Sequence, residues 1–538
     1  LKPSGFQTTR VMGLFLEIVS LPLLLVVLPI WLLVSVVIDL VVGVFKKFAA
    51  SVTKANPNVD NDAEHAPVPV YGSFTGTIFG YFKYMSPSSG GWVAYQKAND
   101  ACGDQVCALD DGSATVTLAD RASAEKILAG NTCQKDKHPI NLSIASALFS
   151  GQVPNFTRDG DVAVRSRKFL LQVIPQNPSN EQLDEAVAAM KRNIQGWTSQ
   201  DVQKTKLSDL LDTAILHFSS TLLLGESLDP ALISKVFPFP VSGLKYPRFP
   251  AVLWGPLYQR AVSARDEIWQ KMKASPNWPK IKTAAENSGI DDDAACGNML
   301  VAMGFNAFGL GNSLMNAFYV LPNLPEGGQE LLRDDELLQS MAWELVRNNG
   351  PGENYITKQD TVIPTSAGVT HRIKAGTNCY FHMGQALRDE FVWKNASQFR
   401  VDRFKPVPSA SLMNPEGGAE PLPTLAFGCP LGTMLDQAQH ERSHQCAFIH
   451  LVQPFLARFV KFLASEFTFG VKGYEAKQGT HGNYSFDHSI DVIKSTGNPG
   501  EDNVPKVPGG DTYLAFFRAR SGAGGEVALS FPLLGNQG

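Results

Sequence analysis

With 538 residues, 44% of them hydrophobic, the chain can bury a large core as one big domain or as two. Lys and Arg total 47 against 51 acids, a net charge of -4, which removes the basic excess expected of a nucleic-acid-binding protein. Seven cysteines at irregular spacing form no C-x-x-C pairs; Cys102 and Cys107 lie near enough in sequence to pair, but the set reads first as reduced, intracellular thiols.

Taken in chain order, the first element is apolar. Residues 11–45 are broken only by Glu17 and Asp39, and Ile18 to Ile38 carry no charge. That uncharged stretch would measure about 31 Å as a helix, the thickness of a bilayer's hydrocarbon core. It is too long for a signal-peptide h-region and lacks a small-residue cleavage site, so it predicts a retained transmembrane anchor over residues 1–48. Lys2 and Arg10 ahead of the span balance Lys46 and Lys47 behind it, leaving orientation open. A chain that begins with Leu1 is read as one whose targeting peptide was removed, or as a fragment. Residues 49–68 read as a polar linker, and 69–538 as the folded domain.

Within that domain the pattern predicts short strands near 68–82, 113–118, 361–381 and 511–518. A helix over 121–128 starts from the cap Asp120, and residues 161–174 set Arg165, Arg167 and Lys168 beside an apolar stripe. Residues 180–197 and 207–224 have the periodicity of amphipathic helices, and 329–347 forms another. Proline-rich stretches at 237–256 and 405–424 read as surface loops. The sequons at Asn141, Asn155, Asn395 and Asn483 are chance matches if the domain faces a cytosol or stroma. Helices dominate throughout.

Three features carry chemistry. Glu344 and Arg347 are three apart, so they share a helix face; alone, such a pair is usually a solvated ion pair. Two cysteines compete as a reactive thiol: Cys429, in Phe427-Gly-Cys-Pro-Leu-Gly432, is followed by polar residues. Cys446, in His444-Gln-Cys-Ala447, precedes a long apolar run to Leu463, whose helix N-terminus would favour a thiolate. The third is Gly304-Phe-Asn-Ala-Phe-Gly309, which taken alone reads as core packing.

The order of these features resembles the haem-thiolate cytochrome P-450 family: a Glu-x-x-Arg helix, a small sheet, the Ala386-Leu-Arg-Asp389 turn, Phe399-Arg-Val-Asp-Arg-Phe404, then a cysteine opening a final helix. The resemblance implies a mainly helical fold with small β-sheets and a haem b held by Cys446 as iron ligand, with His444 beside it. Arg167, or next Arg165, would meet a haem propionate, and Glu344, Arg347 and Arg403 would form a buried charge network supporting the cysteine loop. Residues 304–309 resemble the distal helix of the P-450s that metabolise fatty-acid hydroperoxides, the allene oxide synthases and hydroperoxide lyases. By that likeness Asn306 bonds the hydroperoxide, while Phe305 and Phe308 shape the pocket or steady a carbon radical.

The reaction so implied is rearrangement or cleavage of a polyunsaturated fatty-acid hydroperoxide without O2 or reductase, at a plastid or endoplasmic-reticulum membrane. The chain departs from the pattern at Phe448, where the family has Gly, at Leu310, and in a short span between Asn306 and Glu344. Two alternatives stay open: a P-450-derived structural subunit of a membrane complex, and a conventional monooxygenase, which the missing acid–Thr pair disfavours.

Overall fold

The computed structural model describes residues 57–60, 62–71, 106–109, 115–128, 133–134, 160–195, 207–236, 255–321, 334–348, 352–394, 396, 399–405, 420–429, 445–471, 513–519 and 528–533. The expected anchor at 11–45 and most of the linker lie outside them. Among the described residues no helix is long and apolar enough to cross a membrane.

The strands are β1 (Val70–Tyr71), β2 (Val106–Leu109), β3 (Thr115–Leu118), β4 (Cys133–Gln134), β5 (Gly352–Thr357), β6 (Thr361–Pro364), β7 (Thr370–Ile373), β8 (Asn378–His382), β9 (Phe467–Val471), β10 (Tyr513–Ala519) and β11 (Ala528–Leu533). One sheet has the order β1-β2-β3-β8-β5-β4, another β11-β10-β9, and β6 pairs with β7. In the first sheet β1–β2 and β3–β8 run parallel and the other pairs antiparallel.

The helices are α1 (Arg121–Leu128), α2 (Asp161–Val173), α3 (Asn180–Gln195), α4 (Leu207–Leu224), α5 (Pro230–Val236), α6 (Gly255–Ala274), α7 (Trp278–Ser288), α8 (Asp292–Val320), α9 (Asp335–Arg347), α10 (Met383–Ala386) and α11 (Ile449–Glu466). Local chemistry sets several of their ends. Asp291 caps α8, its carboxylate accepting from the Ala294 N–H at 2.7 Å, and Asp292 and Asp293 add charge to the first turn. Asp334 caps α9 in the same way, accepting from Glu336 at 2.9 Å and Leu337 at 3.4 Å. The cap sets the start of α9 at Asp335, and the 329–333 part of the expected helix lies outside the described residues. Helix α7 stops at Gly289, whose φ of 67° is left-handed and favours glycine.

The core lies where α4, α8, α9 and α11 converge. Helices α4 and α8 approach closely at Gly311, where a Cβ would come within 3.0 Å of the Asp212 carboxylate. Phe218 of α4 and Phe455 of α11 bring their rings to 4.1 Å, and Phe459 stacks beyond at 6.3 Å. Helix α9 packs against α11, which places the Glu344 helix next to the helix that follows Cys446. One expectation needs correction. Cys107 is disulfide-bonded, its partner outside the described residues, so the reduced-thiol reading fails for this cysteine, while Cys133, Cys296, Cys379, Cys429 and Cys446 carry no disulfide, as it expects.

Candidate active site

Glu344 and Arg347 project from one face of α9 and are fully buried. Arg347 forks onto the carboxylate, its Nε donating to Oε2 at 2.8 Å and its Nη2 to Oε1 at 2.7 Å. Its Nη1 donates to the Leu387 and Ala396 carbonyls, both at 2.8 Å. Arg403 reaches the same carboxylate from the 399–405 turn, Nε to Oε1 at 3.2 Å, and the Arg400 N–H adds a bond to Oε1 at 3.0 Å. A carboxylate with this many donors meets the condition under which a buried charge is tolerated. Burial opposes the charge on Arg403, but Glu344 and Glu420 outweigh it and hold the guanidinium above its ordinary pKa.

The network joins the cysteine loop through an aromatic contact. Trp343, beside Glu344 on α9, meets Phe427 edge-on at 6.3 Å. Phe427 closes a 3-10 turn (Thr424–Phe427) that ends on Gly428, with a φ of 75°. The Phe427 carbonyl then accepts from the Cys446 N–H at 2.7 Å. A second clasp lies beside it: the buried Gln445 donates Nε2 to the Cys429 sulfur at 3.3 Å, and the Cys429 thiol donates to the Thr424 carbonyl at 3.2 Å.

These contacts separate the two competing cysteines. Burial pushes the Cys429 thiol up to about 12, against the pull of its hydrogen bonds to Thr424 and Gln445, so it stays protonated and shut in the loop. Among the described free cysteines, Cys133, Cys296, Cys379 and Cys429 are buried and Cys446 alone is half-exposed. It stands three residues ahead of the first residue of α11, its carbonyl accepting from the Ile449 N–H at 3.3 Å. Phe448 is buried in the core, and its carbonyl starts α11 by accepting from Leu451 and Val452.

Helix α2 brings a cation to this loop. Arg167 is 3% exposed and close enough to Cys429 to favour its thiolate electrostatically. Just past the helix end, Gln176 donates to the Ala447 carbonyl at 3.4 Å. Arg165 points elsewhere, exposed and donating to the Gly289 carbonyl at 3.3 Å. Phe305, Asn306 and Phe308 all fall within α8, but their side chains lie outside the described set, as does His444. The sequence reading did not single out Glu420, which sits inside a proline-rich stretch; the signal was electrostatic, since two buried arginines sharing one glutamate call for another acid.

The donor set suits a haem-thiolate centre: one partly exposed sulfur just ahead of a helix, a buried guanidinium near Cys429 of the same loop, and a charge network joined to that loop through Trp343 and Phe427. Among the described residues no group of three or more His, Cys, Asp or Glu could hold a bare metal ion.

No protein-family model and no curated protein sequence matches the chain. Solved structures do. Cytochrome P-450EX alpha with myristic acid is 14% identical, with a TM-score of 0.53, over 76% of this chain and 94% of that one. P-450 BioI, in complex with an acyl carrier protein bearing hexadec-9Z-enoic acid, is 14% identical, with a TM-score of 0.55, over 76% and 98%. A zebrafish cytochrome P-450 with abiraterone is 16% identical, with a TM-score of 0.54, over 75% and 98%. The chain has the cytochrome P-450 fold.

Proposed function

We propose that the chain is a haem-thiolate enzyme that rearranges or cleaves a fatty-acid hydroperoxide, tethered to a membrane by residues 11–45. The observation that carries this reading is the convergence of Cys446, Arg167 and the Glu344 network on one loop. Two of the three structures reported above carry fatty-acyl ligands, which supports a lipid substrate. Cys446 would ligate a haem b iron and Arg167 would neutralise a propionate. Such a centre, when bound, splits an O–O bond, aided by electron donation from the sulfur. Asn306 would donate to the hydroperoxide and fix its orientation, and Phe305 and Phe308 would exclude water. A hydroperoxide already contains the O–O bond, so the missing acid–Thr pair costs nothing. Neither O2 nor a reductase is needed.

A second reading has one observation in its favour. Phe448 fills core volume two residues past the sulfur, where bulk opposes close approach of a planar ligand. On that reading the fold is a haem-free structural subunit, docked by its apolar segment among other membrane helices.

An absorption spectrum of the purified protein, with and without reductant and CO, separates the two. A thiolate-ligated Soret band that Cys446→Ser abolishes and Cys429→Ser retains supports the enzyme; no haem uptake supports the subunit. The haem-loaded protein, incubated anaerobically with a linoleic acid hydroperoxide, should form product without NADPH. Strict dependence on NADPH and O2 would promote the monooxygenase.

A further inference from the structure

We infer that Glu420 is the positioning residue that couples the arginine network to the cysteine loop. The inference rests on the haem-thiolate reading for its purpose, and on geometry for its substance. Around Glu344 the buried cluster holds two guanidiniums and one carboxylate, one positive charge too many for a site without solvent. Glu420 supplies the missing negative charge. Its Oε2 accepts from Arg403 Nη1 at 2.7 Å, and its Oε1 accepts from the Lys394 N–H at 3.1 Å. The same Nη1 also donates to the Lys394 carbonyl at 2.8 Å, while Nε at the other side of the guanidinium donates to Glu344.

What makes this a coupling rather than one more ion pair is where Glu420 sits. It stands four residues ahead of the 3-10 turn at Thr424–Phe427, whose last carbonyl holds the Cys446 N–H. Next to it the Pro421 carbonyl accepts from the fully buried Trp393 indole at 3.0 Å, so the stretch has no slack. Movement of Arg403 is therefore passed through Glu420 to the turn, and from the turn to the sulfur. The charge is needed as well as the tether, because a neutral acceptor would leave Arg403 over-charged in a buried place.

The test uses Glu420→Gln, which keeps shape and removes charge. The control is Asn277→Ala, which removes a side-chain bond to the Leu223 carbonyl at the α6–α7 junction, away from the loop. Each protein is compared at the same interval below its own melting temperature. In the haem-free chain, iodoacetamide should alkylate Cys446 about tenfold faster in Glu420→Gln than in wild type, the scale of one charge-assisted hydrogen bond, and Asn277→Ala should leave the rate unchanged. Haem titrated into Glu420→Gln should bind about tenfold more weakly. Should Glu420→Gln not fold, Glu420→Asp, which keeps the charge and shortens the reach, takes its place with the same expected direction. Equal rates in the glutamate and Asn277 variants would overturn the inference and leave Glu420 a stabilising residue only. A wild-type chain that binds no haem would defeat the haem-thiolate reading instead, with the alkylation rates still deciding the role of Glu420.

Discussion

Two clusters of opposite charges hold different parts of this molecule. Around Glu344 the carboxylate and both arginines have no solvent exposure, and each donor is aimed at a fixed acceptor. At the end of β7 the pairs Arg372–Asp360 and, one residue past the strand, Lys374–Asp60 are open, with side chains 44% and 43%, and 37% and 76% exposed. Both clusters pin a stretch of irregular backbone. The difference is the medium: in water a lost partner is replaced by solvent, whereas in the core it leaves a bare charge. The number of ion pairs therefore says little, and their burial says a great deal.

The largest way to break this contrast is Glu344→Ala, which leaves the buried Arg347 with no carboxylate and Arg403 with Glu420 alone. Unfolding free energy should drop by about 3–5 kcal/mol, measured by denaturant titration, or the chain should fail to accumulate folded. Asp120 sharpens the contrast from another side, as a fully buried acid with another acid, Asp389, beside it. Burial raises its pKa from 3.8 to about 6, against bonds from Ser123, and Asp389 adds to the rise. Protons then bind the folded state more tightly than the unfolded one. The stabilisation is full below pH 4 and is lost as pH climbs through 6, roughly 2–3 kcal/mol in all. Asp120→Asn keeps an acceptor for the Ser123 N–H and should flatten that slope in melting curves between pH 4 and 6. Next in size, Asn306→Ala should slow turnover of a hydroperoxide by about tenfold, the scale of one hydrogen bond, with no change in melting temperature. The smallest effect belongs to Lys374→Ala, under about 1 kcal/mol and shrinking further in added salt.

How much of this could be read from the chain depended on how local the cause was. Helix α4 runs from Leu207 to Leu224 as its apolar periodicity predicts, because that signal is local. Asp120 announced the start of α1 for the same reason. Glu344 and Arg347 were legible as a pair from spacing alone; that Arg403 joins them from 59 residues downstream follows from no local rule and came only through the family's order. Glu420 was hidden, because proline-rich sequence around a lone acid looks like exposed loop, and only the fold sets the half-buried acid against the buried Arg403. The rivalry of Cys429 and Cys446 was half visible. The apolar run after Cys446 marked the helix, but only the fold shows Gln445 and the Thr424 carbonyl closing on the other sulfur.

The clasp between Phe427 and Cys446 also has a consequence for engineering. Chain positions 427 and 446 are held 2.7 Å apart, carbonyl oxygen to amide nitrogen, so the excursion between them starts and finishes at one neck. Its length is thereby uncoupled from the place of the sulfur, whatever path residues 430–444 follow. Doubling the length of such a closed excursion adds only about 0.6 kcal/mol of closure entropy. An epitope or reporter peptide spliced into the middle of that segment should be carried at small cost to the position of the sulfur.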